Sequence, residues 1–487
     1  MMAHEKGPIR YLLNGRERVI EGVKPTTTIL EHLRRAERLT GTKEGCAEGD
    51  CGACTVMLSE PDGAGGIRRR AVNACIQFVP ALHGRSVETI EAIGGQGLAP
   101  VQAAMVNSHA SQCGFCTPGF AMQLHVGWLN GEIADRQSVK DLVSGNLCRC
   151  TGYGPIVDAG LSLAGQAPPL DAAADAALAE RLAALGGEAM LAYEAPGGRW
   201  FAPRDVDELA DTYAAHPDAV LISGATDVGL WVTKQQRELP LLIDVSRVWD
   251  LRQVEEAPGR TIFGAGVSHA AAISALTRIH PDLGEVMRRF AGHQIRAMGT
   301  LGGNIANGSP IGDLAPCFIA LGAGLHLRMG DSMRGLRLED FFLDYGKQDR
   351  RPGEFVAAID VPDLGNNEAF FARKISKRFD SDISAVMAAF RLKIEGGIVT
   401  DAALAFGGMA GTPKRAKAAE AALIGQAFGA EAAGRAAAAL AKDFAPLTDI
   451  RASSRYRLEA AGNLIRRFAA EHEGGRNDLF AVTAEVA

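Results

Sequence analysis

Eight of the nine cysteines lie between Cys46 and Cys150, at spacings that suit metal ligation better than random core packing. The first set is Cys46-x4-Cys51-x2-Cys54, completed by Cys75. That arrangement is expected around a plant-type [2Fe–2S] cluster. Three of its thiolates come from one tight loop, Gly45–Cys54, where glycines permit the dihedrals that aim backbone N–H groups at sulfur. A structural zinc site also accepts four thiolates, although its cysteines are usually two C-x2-C pairs. The second set is Cys113-x2-Cys116 and Cys148-x-Cys150, with Thr117-Pro118 and Thr151-Gly152 after them to open helices. The positive end of a helix dipole lowers a thiol pKa and offsets cluster charge. Two facing helical hairpins would gather these four thiolates round a two-fold axis. Zinc fits this spacing too; the presence of the first set favours a second [2Fe–2S] cluster.

The surrounding elements read as follows. Ile9–Leu13 and Arg18–Ile20 are strands joined by an Asn14-Gly15 turn, and Thr26–Thr28 caps a helix with Ile29, Leu30, Leu33 and Ala36 on one face. Thr55–Leu58 and Ala71–Ala74 make a hairpin through the turn-rich Pro61–Gly66. From Pro100 the period becomes helical, with helices over Val101–Ser111, Pro118–Leu129, Val139–Ser144 and Tyr153–Leu163; Phe120, Leu124 and Trp128 are core positions. A linker follows near Gly165–Gly187, then an α+β pattern, then strands near Ala385–Ile394 and Ala403–Phe406 and alanine-rich helices. The fold class is α+β multidomain: a small sheet-and-helix domain (1–92), a four-helix domain (93–166), a linker (167–190), an α+β domain (191–365) and an α+β C-terminal domain (366–487).

No G-x-G-x-x-G follows a strand and no P-loop is present, so neither nucleotide motif is supported. Two other glycine turns could meet a diphosphate with successive N–H groups: Leu221, Ile222, Ser223, Gly224, Ala225, Thr226, Asp227 and Val228, and the run Gly299 to Ala306 with Thr300, Gly302, Gly303 and Asn304. Either turn alone is also what an ordinary bend looks like. Cys317 reads as a core residue, and His269, His280 and His293 have no partner at ligand spacing.

On Gly45–Cys54, Gln112–Gly119, Gly145–Tyr153, the two glycine turns and Ser309–Pro316, the chain resembles molybdenum hydroxylases of the xanthine dehydrogenase family. The resemblance runs over nearly the whole sequence and implies a β-grasp ferredoxin-like domain (1–92), a four-helix [2Fe–2S] domain (93–166), an α+β FAD-binding domain that is not Rossmann (191–365) and a CO-dehydrogenase-flavoprotein-like C-terminal domain (366–487). It implies FAD contacts from Leu221 to Val228 and from Phe290, Thr300, Asn304, Asp313, Val356 and Lys374. It also implies that Gln112 touches a molybdopterin across a subunit boundary. Asp313 would accept from ribose or flavin, and Lys374 would offset negative charge near the ring. Because the large molybdenum domain of animal members is not in this sequence, the chain resembles the small subunit of a split enzyme. Its partner would be a large molybdopterin-binding subunit, in an α2β2 heterotetramer. Electrons from purine oxidation at the partner's molybdenum would cross the second cluster, the first cluster and FAD to reach NAD+. The loop Ser376–Asp382 would then help choose between NAD+ and oxygen. No catalytic base is expected on this chain.

Other molybdenum hydroxylases, or a carrier or zinc scaffold without activity, keep the same motifs. A formal charge of −6 gives no reason to expect nucleic acid. No segment reaches the roughly 18 apolar residues of a membrane span. The polar stretch Met1–Arg18 lacks a signal peptide's apolar middle, so the cytoplasm is expected. The short basic run Arg68-Arg69-Arg70 reads as a solvated strand end.

Overall fold

The computed structural model describes residues 5–95 and 97–474, which fall into two compact units. The first comprises 1–250 with 268–271 and 291–300; the second comprises the remainder.

In the first unit, Ile9–Leu13 pairs antiparallel with Arg16–Ile20 around Asn14 and Gly15, whose φ values of 50° and 77° are those of a type I′ turn. Ser86–Glu88 lies between Ile9–Leu13 and Thr55–Pro61, and Ile67–Asn73 closes the five-stranded sheet. Thr28 caps the helix Ile29–Arg35 by accepting from the Glu31 N–H at 3.1 Å. Tyr11, Leu30, Leu33 and Phe78 fill the space beneath it. That core continues into a second five-stranded sheet built from Glu5–Lys6, Leu191–Ala195, Gly198–Ala202, Leu241–Asp244 and Val220–Ile222. Trp200 meets Phe78 edge-on there, at 6.5 Å between centroids.

Four short helices, Pro100–Asn107, Thr117–Leu129, Arg136–Leu142 and Gly154–Leu161, enclose a core that includes Phe120, Leu124 and Trp128. The stretch read as linker holds a helix, Ala172–Gly186, capped by Asp171 and burying Leu182. Its alanines hid an amphipathic element because alanine counts as neither a strong core nor a strong surface signal. Arg69 and Arg70 are likewise not a solvated strand end. Arg69 pairs with Asp175 of that helix (3.0 Å) and Arg70 with Glu60 (2.8 Å), and the half-buried Arg68 also reaches Glu60 (3.7 Å).

The second unit holds an antiparallel sheet of Val254–Ala257, Arg260–Gly264, Phe355–Pro362, Gly324–Met329 and Ser332–Arg337, covered by Leu314–Leu321 and other helices. Cys317 is fully buried in this core. A four-stranded sheet follows, in which Gly396 and Gly397 turn Val386–Glu395 into Ile398–Gly407 with φ values of 58° and 80°. Helices Lys417–Leu423, Ala430–Asp443 and Ser454–His472 pack on it through Phe371, Phe390, Phe406 and Phe468. No helix among the described residues is long and apolar enough to cross a membrane.

Candidate functional site

None of the nine cysteines is in a disulfide. In the first set, Ala47, Gly49 and Gly52 adopt φ values of 54°, 79° and 65°, which coil the loop back on itself. The Glu48 and Cys51 N–H groups both point at Cys46 Sγ, at 3.4 Å each. Hydrogen bonds from the thiols of Cys51 and Cys75, helped by those two N–H groups, hold Cys46 far below the ordinary thiol range. Cys75 is pushed up, first by sharing its proton with Cys46 and Cys54 and then by burial. One thiolate ringed by donating thiols is a donor set in which metal ions can take the place of protons. A Cβ on Gly45 would stand 2.8 Å from Cys51 Sγ, so the loop closes directly on its ligands.

In the second set, Cys113 meets Cys150 and Cys116 meets Cys148, one cysteine from each helical hairpin in both contacts. Cys116 occupies the N-cap position of Thr117–Leu129, yet burial, and then its contact with Cys148, push its thiol up to about 12. Burial works against the Cys148 thiolate as well. The Thr151 hydroxyl (3.2 Å) and N–H (3.4 Å) overcome it and hold that thiol below its usual range. Tyr153, at φ 70°, turns its hydroxyl to accept the Cys148 N–H at 3.0 Å. Among the described residues no three His, Cys, Asp or Glu side chains converge as a single-ion site. Each set still offers four thiolates, which suit either the two irons of a [2Fe–2S] cluster or a single zinc ion.

The two loops touch. Leu147, next to Cys148, donates its N–H to the Cys51 carbonyl at 3.0 Å. Gly119 lies so close that a Cβ there would stand 2.2 Å from the Gly52 oxygen. Gln112, Cys113, Phe115 and Cys150 are exposed beside the second set, and Lys234 hydrogen-bonds the Cys46 carbonyl in the first.

Leu221 and Ile222 end a strand, Ser223 and Gly224 turn, and Ala225 takes φ 54°. Asp227 opens the helix Val228–Thr233; burial raises its carboxyl while Trp231 Nε1 donates to it at 3.0 Å. A Cβ on Gly224 would stand 1.8 Å from the Met298 carbonyl, so only glycine allows the two turns to meet here. Gln77, two residues past Cys75, donates to the Gly224 carbonyl at 2.5 Å. Thr300, in the first unit, is buried.

In the second unit, Gly302, Gly303 and Asn304 form the first turn of helix Leu301–Asn307. The N–H groups of Leu301 and Gly302 donate to the Val267 and Ala265 carbonyls at 2.9 Å each. Those two N–H groups are thus engaged within the fold, whereas the sequence offered the whole run to a diphosphate. The Asn304 side-chain oxygen is buried with no hydrogen-bond partner, and a ligand N–H or hydroxyl would satisfy it. Phe290 packs at the edge of the core and Val356 inside it. Asp313 and Lys374 face one another: Lys374 Nζ donates to Asp313 at 2.7 Å and to the Asp382 carbonyl at 3.1 Å, and Ser384 donates to the other Asp313 oxygen at 2.5 Å. The loop Ser376–Asp382 folds round the Asp382 carboxylate, which accepts the Lys377 and Arg378 N–H groups, and Phe379 sits under the Arg288 and Arg289 guanidiniums.

No motif signals the buried amide cluster around the two loops. Gln294 donates to Thr55 and Asn146; His293 meets Gln123 and Glu132. His293 thus has partners after all, brought together from positions far apart in the chain, where spacing rules have no reach.

Four families match successive parts of the chain: a 2Fe–2S iron–sulfur cluster binding domain (12–79), a [2Fe–2S] binding domain (89–161), the FAD binding domain in molybdopterin dehydrogenase (192–364) and the CO dehydrogenase flavoprotein C-terminal domain (371–472). Xanthine dehydrogenase/oxidase of Rattus norvegicus is 34% identical over 452 residues, which cover 82% of this chain and 34% of that protein. The chain is a homologue of the N-terminal third of xanthine dehydrogenases. Carbon monoxide dehydrogenase from Hydrogenophaga pseudoflava, solved without the Mo-pyranopterin moiety of its cofactor, matches with a TM-score of 0.52 and 29% identity over 55% of this chain and 94% of its own. Quinoline 2-oxidoreductase from Pseudomonas putida 86 shares the fold at a TM-score of 0.52 and 24% identity, over 56% of this chain and 96% of its own. This xanthine dehydrogenase homologue therefore carries two [2Fe–2S] domains, a flavin-binding domain and a flavoprotein C-terminal domain, a set built for electron transfer through iron–sulfur centres to FAD. It spans about a third of the length of the curated relatives it matches.

Proposed function

We propose that the chain is the iron–sulfur and flavin subunit of a cytoplasmic xanthine dehydrogenase. A large molybdopterin-binding subunit, in an α2β2 assembly, would oxidise hypoxanthine and xanthine to urate with water as the oxygen source and NAD+ as the acceptor of the electron pair. The eight named cysteines would hold the clusters, with the residues from Leu221 to Val228 and Phe290, Thr300, Gly302, Gly303, Asn304, Asp313, Val356 and Lys374 around FAD. When bound, the clusters pass single electrons and the flavin delivers them in pairs to a nicotinamide.

The chain's own part is placement. Four backbone N–H groups on Cys46 and Cys148, two from each loop or its flank, counter thiolate charge; for Cys148 the Thr151 hydroxyl adds to this. The exposed Gln112 and Cys150 would face the molybdopterin subunit. The observation that carries the reading is the contact between the loops, Leu147 N–H to Cys51 carbonyl, which leaves one hydrogen bond between a ligand of one set and the neighbour of a ligand of the other.

The test is co-expression with a large molybdopterin-binding subunit, followed by a spectrum and a substrate screen. Xanthine-dependent NAD+ reduction with bleaching of flavin and [2Fe–2S] bands supports the reading. Activity confined to aldehydes or N-heterocycles would move the chain to another molybdenum hydroxylase, a second reading that the likeness to carbon monoxide dehydrogenase keeps open.

A further inference from the structure

Gln294 is separated from both cysteine sets by well over a hundred residues, yet it is 1% exposed and wedged between their loops. Its Nε2 donates to Thr55 Oγ1 at 3.1 Å and to Asn146 Oδ1 at 2.8 Å. Thr55 immediately follows the ligand Cys54, and its hydroxyl donates to the Gly52 carbonyl at 2.6 Å. Asn146 lies two residues before Cys148 and donates to the same Gly52 carbonyl at 3.2 Å. One amide nitrogen thus ties the first loop to the second, and both of its acceptors converge on Gly52, the residue after Cys51. The approach is close on every side: a Cβ on Gly145 would stand 2.0 Å from Gln294 Oε1, and one on Gly52 would stand 2.4 Å from Asn146 Nδ2. The helix bearing Gln294, His293–Met298, is anchored at its first residue by Gln123 Nε2 to His293 Nδ1, at 3.1 Å.

We infer that Gln294 is a positioning residue for electron passage between the two clusters: it fixes the loops so that the Leu147 N–H to Cys51 carbonyl bond stays formed. This rests on the reading that both cysteine sets hold [2Fe–2S] clusters. A buried donor shared by two acceptors has no water to replace it, so its loss leaves Asn146 Oδ1 without its partner and frees the two loops to part. Loops that part lengthen the path between the two clusters, and electron passage slows as that separation grows.

The experiment uses the full chain with its clusters and flavin, as Gln294→Leu, which removes both of the amide's hydrogen bonds at similar volume, and Thr55→Val, which removes one of them together with the Thr55–Gly52 bond. Iron and flavin content are measured first. Freeze-quench EPR after flash reduction of the flavin then follows each cluster's signal separately, and the spin–spin splitting is recorded on the fully reduced protein. For Gln294→Leu the expected result is unchanged iron and flavin, unchanged reduction of the first cluster, an altered splitting, and a several-fold slower arrival of the electron at the second cluster. Thr55→Val should show a smaller change of the same kind. Unchanged splitting and timing in iron-replete variants overturn the inference. So does loss of iron in both variants, which makes Gln294 merely structural. Wild-type protein without cluster iron refutes the underlying reading instead, so the two failures are distinct.

Discussion

Replacing Lys374 with methionine keeps the length of the side chain and removes its charge. Lys374 and Asp313 have side chains only 2% and 4% exposed and meet at 2.7 Å, so the variant leaves a buried carboxylate whose remaining partner is Ser384 at 2.5 Å. Breaking one side of a buried ion pair costs about 3–5 kcal/mol, because the surviving charge keeps its desolvation penalty. For a domain of the second unit's size each kcal/mol moves Tm by about 2–4 °C, so the lower figure corresponds to about 6–12 °C. Differential scanning calorimetry of the full chain reads this directly. The double variant Lys374→Met with Asp313→Asn should recover a large part of the loss, since no charge is then stranded. A fall of less than about 2 °C, or a double variant no more stable than the single one, would refute the argument and mean that water reaches the carboxylate.

Cys75→Ser should halve the iron content while flavin and the EPR signal of the second set remain, as metal analysis and EPR would show. Gly119→Ala pushes a methyl to within 2.2 Å of the Gly52 oxygen and 3.0 Å of the Ala53 Cα; chemical denaturation should show a loss of about 1–3 kcal/mol, with broadened cluster signals. His83 and His125 are both held neutral, mainly by burial and to a lesser degree by nearby arginines, with pKa values lowered to about 4. The unfolded chain, with values near 6.5, binds protons first, so stability is full above that pH and falls between about 6.5 and 4. The loss is about 2 kcal/mol per histidine at pH 5. Tm recorded from pH 7.5 to 5 should show this slope, and His125→Leu should flatten it.

The cysteine chemistry was legible because ligands within one loop are neighbours in sequence: Cys46, Cys51 and Cys54 need only local geometry. The hairpin at Asn14-Gly15 and the core role of Phe120, Leu124 and Trp128 were readable for the same reason, through turn chemistry and a 3.6-residue period. What escaped was nonlocal. Nothing near Gln294 or His293 signals that they dock on loops far back in the chain, and no pattern tells Lys374 that its partner is Asp313. The helix Ala172–Gly186 escaped for a different reason, as its burial rests on a few positions such as Leu182 amid alanines.

The most direct measurement is iron and acid-labile sulfide per chain in anaerobically purified protein, read together with EPR of the reduced state. About four irons and four sulfides and two distinguishable S = 1/2 signals are expected. Zinc in their place, or eight titratable thiols with no sulfide, would contradict the two-cluster reading.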